Sequence, residues 1–246
     1  MLLAESSWPE VEDYLNRSRA VIIPLGSTEQ HGPLGLIGTD AMCAERVAVG
    51  MGERCGALVT PTVVYTPAAF NLDFPGTVSV SVETFKSLMS DIVASLLRHG
   101  FYQLYFLNGH GANIAPVKEL VSARAPDIRC RVISWWDYPR VNALRKQWYG
   151  AWEGMHATPS EVALTRAHYR TIDDSELAPP EQLEPHYLRD HAGDRHGPPA
   201  EHRARFPDGR VGSHSALGTR EHGLELYAAA VEEGADDFQQ FVESNS

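Results

Sequence analysis

The chain has 246 residues, 43% of them hydrophobic and 22% charged, so it can bury one substantial core, and a single domain over residues 1–246 is the expectation. With 21 basic against 32 acidic residues its formal net charge is −11, which argues against a nucleic-acid backbone or an anionic membrane surface as the main partner. The three scattered cysteines, Cys43, Cys55 and Cys130, form no CxxC pair, so neither a disulfide framework nor a thiolate zinc site is expected.

The N-terminus, MLLAESSWPEVEDYL, lacks the basic start and long apolar stretch of a signal peptide. No run approaches the roughly 18 apolar residues of a membrane span. A cytoplasmic setting follows as the expectation.

Residues Ala20 to Leu25 (AVIIPL) read as a strand buried on both faces, being short, apolar and β-branched. Asp40 can cap a helix running to about Gly50. Ala57 to Tyr65 reads as a second strand. Glu83 to His99 has apolar residues at helical spacing, and Gly100 suits its stop. Phe101 to Leu107 is the third strand, Ala115 to Ala123 a helix, and Ile128 to Ser134 a fourth strand. Pro159 opens a further helix with Glu161 in its first turn. Leu177 to Gly209, rich in Pro, His, Asp and Arg, reads as a long irregular excursion packed on the body or on a neighbouring subunit. A last helix spans about Thr219 to Val242. Alternating strands and helices at this spacing predict an α/β fold with a mostly parallel sheet covered on both faces.

In such sheets a site gathers at the carboxyl ends of the strands. Two polar motifs begin there: GSTEQHG after the first strand and NGHGAN after the third. Glu29 and His31 lie two apart, a spacing that sends both side chains the same way from an extended segment. With Asp40, His110 and Glu161 they supply two imidazoles and three carboxylates. Such mixed nitrogen and oxygen donors suit zinc, manganese or iron, and a shared carboxylate allows two ions to sit close together. Each residue alone has an ordinary reading, Asp40 as a cap and NGHG as a turn; their common placement at strand exits is what singles them out.

The segments PLGSTEQHGPLGLIGTD, NGHGAN and HATPSE resemble the creatininase (creatinine amidohydrolase) family from about Val21 to Glu161, with a weaker echo in FPDGRVGS and TREHG. The resemblance implies a three-layer α/β/α domain and two divalent metal ions per chain. It implies that Glu29 and His110 serve one ion, His31 and Glu161 the other, and that Asp40 bridges them. It matches His156 to a histidine that transfers protons, and Trp136 and Trp152 to two tryptophans that flank the substrate. It also implies a homo-oligomer, commonly a hexamer. The implied function is an amidohydrolase that opens a non-peptide C–N bond of a small molecule with metal-activated water. The alternatives are a family peptidase that matures a peptide-derived redox cofactor, creatinine hydrolysis itself, and a non-catalytic metal-binding scaffold. One departure bears on the choice: creatininase carries a glutamate two residues after the NGH histidine, where this chain has Ala112. Its loss disfavours a guanidino-like substrate, which gains from a nearby negative charge.

Overall fold

The computed structural model describes residues 1–124, 128–173, 177–193 and 195–244. Its centre is a four-stranded sheet: β1 (Ala20–Leu25), β2 (Leu58–Val59), β3 (Gln103–Asn108) and β4 (Arg129–Ser134), in the order β2-β1-β3-β4. Every pairing is parallel. All six residues of β1 are buried, as a strand covered on both faces requires.

The predicted second strand is cut short. Only Leu58 and Val59 form a regular ladder with β1, and Pro61 interrupts the run. The chain still follows β1, since Thr60 donates its N–H to Ile22 O and Val63 donates to Pro24 O. Pro24 lacks a donor of its own, and it faces this neighbour where β2 has already ended.

Helices cover both faces. On one lie α1 (Trp8–Leu15), α3 (Val82–His99) and α4 (Ile114–Arg124), and α1 and α3 bury Tyr14, Phe85, Met89 and Val93 against Val21, Ile23 and Phe106 of the sheet. On the other lie α2 (Thr39–Cys55), α5 (Pro139–Trp148), α6 (Pro159–His168) and α9 (Arg220–Glu243), which enclose Ile22, Tyr105, Leu107 and Trp135. The result is the expected three-layer α/β/α arrangement. Helix α3 is bounded as its sequence suggests: Ser81 Oγ accepts from Thr84 N, and Gly100 closes the helix at φ 95°.

Three further features differ from expectation. Asp40 does not cap α2; Gly38 occupies the cap position, and Asp40 lies inside the first turn with its carboxylate engaged elsewhere. The region 177–209 carries two short helices, α7 (Pro185–Asp190) and α8 (Pro199–Arg205), each opened by a proline; residue 194 within it lies outside the described residues. Helices α1 and α5 were not among the expected elements, although a Ser7–Glu10 capping box and Pro9 mark the start of α1 and Pro139 that of α5. Among the described residues, no helix is long and apolar enough to cross a membrane.

The first turn of α2 rests directly on the loops that leave β1 and β3. A Cβ on Gly26 would fall 2.3 Å from Ala41 N and Cα, and one on Gly109 would fall 2.3 Å from Asp40 O. Only glycine allows this approach of backbone to backbone. Gly26→Ala should therefore lower unfolding stability by about 2 kcal/mol or more, as an overpacked interior does. Gly56→Ala should cost only about 1 kcal/mol, since Gly56 is left-handed at φ 70° with open space around it. Denaturant midpoints of the two variants decide this; equal, mild losses would show that α2 is free to shift.

Candidate metal centre

The five acidic and imidazole residues singled out by the sequence converge in one buried cluster at the carboxyl end of the sheet. Glu29 and His31 arrive on the loop after β1, His110 on the turn after β3, Asp40 on the first turn of α2, and Glu161 on the first turn of α6. Asp40 is central. Its Oδ1 lies 2.8 Å from His31 Nε2, and its Oδ2 lies 2.9 Å from His110 Nδ1. Glu29 Oε1 stands 3.0 Å from His110 Nδ1, and Glu161 Oε2 4.0 Å from His31 Nε2. Two trios therefore have ligand atoms within 4.8 Å of one another, Glu29/Asp40/His110 and His31/Asp40/Glu161, and they share Asp40.

Each imidazole is aimed by a backbone carbonyl. His110 Nε2 is 2.7 Å from Pro67 O, and His31 Nδ1 is 3.2 Å from Glu29 O. A ring nitrogen facing a carbonyl must carry the proton, so each ring presents its other nitrogen, without a proton when neutral, to the carboxylates. This is the arrangement that a ligating histidine needs. Glu29 Oε1 and His31 Nε2 are also buried without a hydrogen bond of adequate geometry, close as the opposing groups are. Such orphaned atoms, with two donor trios around them, fit a divalent cation.

The neighbouring polar residues hold the carboxylates in place. Ser27 Oγ donates to Asp40 Oδ2 at 2.9 Å, and Asn71 Nδ2 donates to Glu29 Oε2 at 3.0 Å. Glu161 Oε2 also closes a capping box, accepting from Thr158 N at 2.9 Å and Thr158 Oγ at 2.8 Å. Of these three, Ser27 lies in GSTEQHG and Thr158 in the TPSE pattern, while Asn71 carries no motif. Asn71 is brought in from a separate loop.

His156 joins the cluster, its ring 4.5 Å from that of His31. Its Nε2 lies 2.7 Å from Gln30 O, and its Nδ1 lies 3.8 Å from Glu29 Oε1. With Glu29 and His31 it forms a third trio of donor atoms. The residue after it, Ala157, is buried with a left-handed φ of 58°, a strained conformation held by Ser215 Oγ, which donates to Ala157 O at 2.6 Å.

The two tryptophans part company. Trp136 lines the cavity of about 190 Å³ that opens on Glu29, Asp40, His110, His156 and Glu161. Trp152 is not on that wall; its ring packs edge-on against His214, because the 3-10 turn Gly150–Glu153 turns it aside. Ala112 lines an adjoining cavity with Phe70 and His196, and Gly193 borders both spaces. Arg145 of α5, which no motif marks, does line the site cavity.

Burial and charge set the protonation states of the metal-free cluster. Burial works against the His31 imidazolium, but Asp40, with Glu161 and Glu29 behind it, outweighs this and lifts the pKa to about 10. His110 is likewise raised despite its burial, by Glu29 and Asp40. Burial would raise Asp40, yet the two imidazoles hold its carboxyl well below the ordinary range. Glu29 is raised by burial, and burial pushes Glu161 up to about 7 against the pull of His31. Burial, then the charge on His31, drives His156 well below its ordinary value, so it stays neutral.

A group whose pKa is raised by folding stabilises the folded state below its unfolded pKa and loses that contribution as the pH rises through the folded value. For His31 the window runs from about 6.5 to about 10. The chelated, metal-free protein should therefore melt at a temperature that falls by on the order of 5 °C between pH 7 and pH 10. Thermal melts in chelator across that range test this, and a midpoint that stays level would show that His31 is not held protonated.

Comparison with known proteins agrees with this geometry. The creatininase family profile, described as creatinine amidohydrolase, matches residues 4–237. Creatinine amidohydrolase of Pseudomonas putida is 30% identical over 193 residues, which cover 71% of this chain and 74% of that protein. The mycofactocin precursor peptide peptidase of Mycolicibacterium smegmatis is 34% identical over 108 residues, 42% of this chain and 43% of its own. A solved structure of creatininase with manganese superposes with a TM-score of 0.78 at 25% identity, covering 99% of each chain. The chain thus belongs to the creatininase family of metal-dependent hydrolases acting on carbon–nitrogen bonds.

Proposed function

We propose that this chain, as one catalytic domain, hydrolyses a non-peptide amide, cyclic amide or formamide of a small molecule at a centre of two divalent ions. The observation that carries the proposal is Asp40, whose two carboxylate oxygens each face a different imidazole and so join two donor trios. In this reading Glu29 and His110 hold one ion, His31 and Glu161 the other, and Asp40 touches both. Zinc, manganese and iron all suit these donors. When bound, such ions lower the pKa of a shared water and polarise the amide carbonyl.

His156 is the proton carrier in this scheme. Its Nε2–H is anchored on Gln30 O, which leaves Nδ1 to exchange a proton. Held neutral by burial, it accepts a proton from the attacking water and passes it to the departing nitrogen. Trp136 on the cavity wall offers an apolar face to the substrate. The cavity, at about 190 Å³, has room for a compact amide.

Metal content per chain tests the ligand assignments. Asp40→Ala should lose both ions, and His31→Ala mainly one. His156→Ala should keep both while turnover falls by about 10²–10⁴-fold. An Asp40→Ala variant that retains two ions removes the bridge from the scheme, and a His156→Ala variant that loses one makes His156 a ligand instead.

Substrate choice follows from Ala112. With zinc, manganese and iron restored in turn, formamides and small cyclic amides should turn over while creatinine is hydrolysed little or not at all. Robust creatinine turnover with any of the three, at ordinary enzyme rates of roughly 1–10³ per second, would make creatinine the substrate class.

A further inference from the structure

Among the described residues, the cavity over the candidate centre has one guanidinium on its wall, and its local bonding leaves it available to a ligand. Arg145 of α5 reaches the cavity that Trp136, His156 and Glu161 also line. Its Nε donates to Glu153 Oε1 at 2.8 Å and to Ser160 Oγ at 3.3 Å, and its Nη1 lies 3.4 Å from Trp136 O. A guanidinium carries five N–H donors. These contacts use the Nε–H and one Nη1–H and leave the Nη2 pair and the other Nη1–H unengaged among the described residues. The side chain is 17% exposed, so it is held in place, yet it is not sealed away from the cavity.

We infer that Arg145 is a specificity residue that receives a carboxylate, or an oxyanion of like shape, on the substrate. This deepens the amidohydrolase reading and rests on it. Two divalent ions would balance the carboxylates of Glu29, Asp40 and Glu161 together with an ionised water, and Glu153, bound at Nε, is the one carboxylate paired with Arg145 among the described residues, so its Nη2 group is left to meet an anion. Ala112 adds no negative charge to the neighbouring space. The planar guanidinium suits two-pronged recognition of a carboxylate, and Glu153 and Ser160 fix its plane beforehand, so little side-chain freedom is lost on binding. The substrate class is therefore a compact amide or formamide that bears a carboxylate a few bonds from the C–N bond to be broken. An Arg145 that only tied α5 to the 3-10 turn and to α6 would affect stability without discriminating between ligands.

The test uses the manganese-loaded protein and two probes with no bond that an amidohydrolase can split, N-methylsulfonylglycine and the neutral N-(2-hydroxyethyl)methanesulfonamide. Calorimetry should find the carboxylate probe bound roughly tenfold more tightly, or better, as expected for a charge-assisted pair of bonds. In Arg145→Gln the preference should disappear, while Arg145→Lys, which keeps the charge without the fork, should retain part of it. Metal content should match the wild type in both variants. Should Arg145→Gln not fold, the wild-type preference and its reduction in Arg145→Lys carry the test. The inference is overturned if the wild type shows no preference, if the preference survives undiminished in Arg145→Gln, or if neither probe binds up to its solubility limit. Failure of the underlying reading registers separately, as a protein that takes up no ions by elemental analysis or hydrolyses no amide. The probe preference of a chelated sample, run in parallel, still reports on Arg145 in that event.

Discussion

The buried carboxylate of Asp40, set between two imidazoles at 2.8 and 2.9 Å, is the interaction on which the rest of the site depends. To put it there, the first turn of α2 must press against the loops leaving β1 and β3, closer than any side chain on Gly26 or Gly109 would permit. The parallel sheet brings those two loops side by side, because β1 and β3 pair residue for residue up to Leu25 and Asn108. Sheet register, helix approach and carboxylate position are thus one constraint. A shift in any of them moves Asp40 away from an imidazole.

Burying three carboxylates and two imidazoles together is costly, since each charge gives up its hydration. The metal-free cluster limits the cost by sharing protons: His31 and His110 hold theirs above the ordinary range, and Glu161 is pushed up to about 7. Cations that replace those protons would supply more charge at the same positions, and would release protons as they bind. The surrounding hydrogen bonds, from Ser27 to Asp40, Asn71 to Glu29 and Thr158 to Glu161, keep the oxygens from turning away in search of water. The donors of the cluster suit a divalent cation, which agrees with the family's chemistry.

The region 177–209 meets the site at Gly193. Gly193 borders both the site cavity and its neighbour, while Gly209 O accepts from Gln30 Nε2 at 2.9 Å and ties the end of the region to the loop that carries Glu29 and His31. A Cβ on Gly209 would fall 2.0 Å from Gln30 Oε1, so this join also depends on the absence of a side chain. The length of such loops, more than the sheet beneath them, sets the size of the cavity and hence the size of what enters it.

By itself the sequence determined the layered parallel fold, because apolar runs such as AVIIPL and the amphipathic stretch 83–99 admit few other arrangements, and strand exits are where such folds collect polar side chains. It also marked Glu29, His31, Asp40, His110 and Glu161, since those residues lie in short motifs whose spacing is local. Only the tertiary structure decided what lies across the cavity from them. Trp136 reaches its wall while Trp152 turns aside against His214, and Asn71 and Arg145 arrive from distant segments without a motif. Asp40 proved to be a buried partner of two histidines rather than a helix cap, a role set by residues far along the chain. The physical reason is the same in each case: periodicity and propensity act over a few residues, whereas the direction of a side chain into a cavity depends on the packing of every element around it.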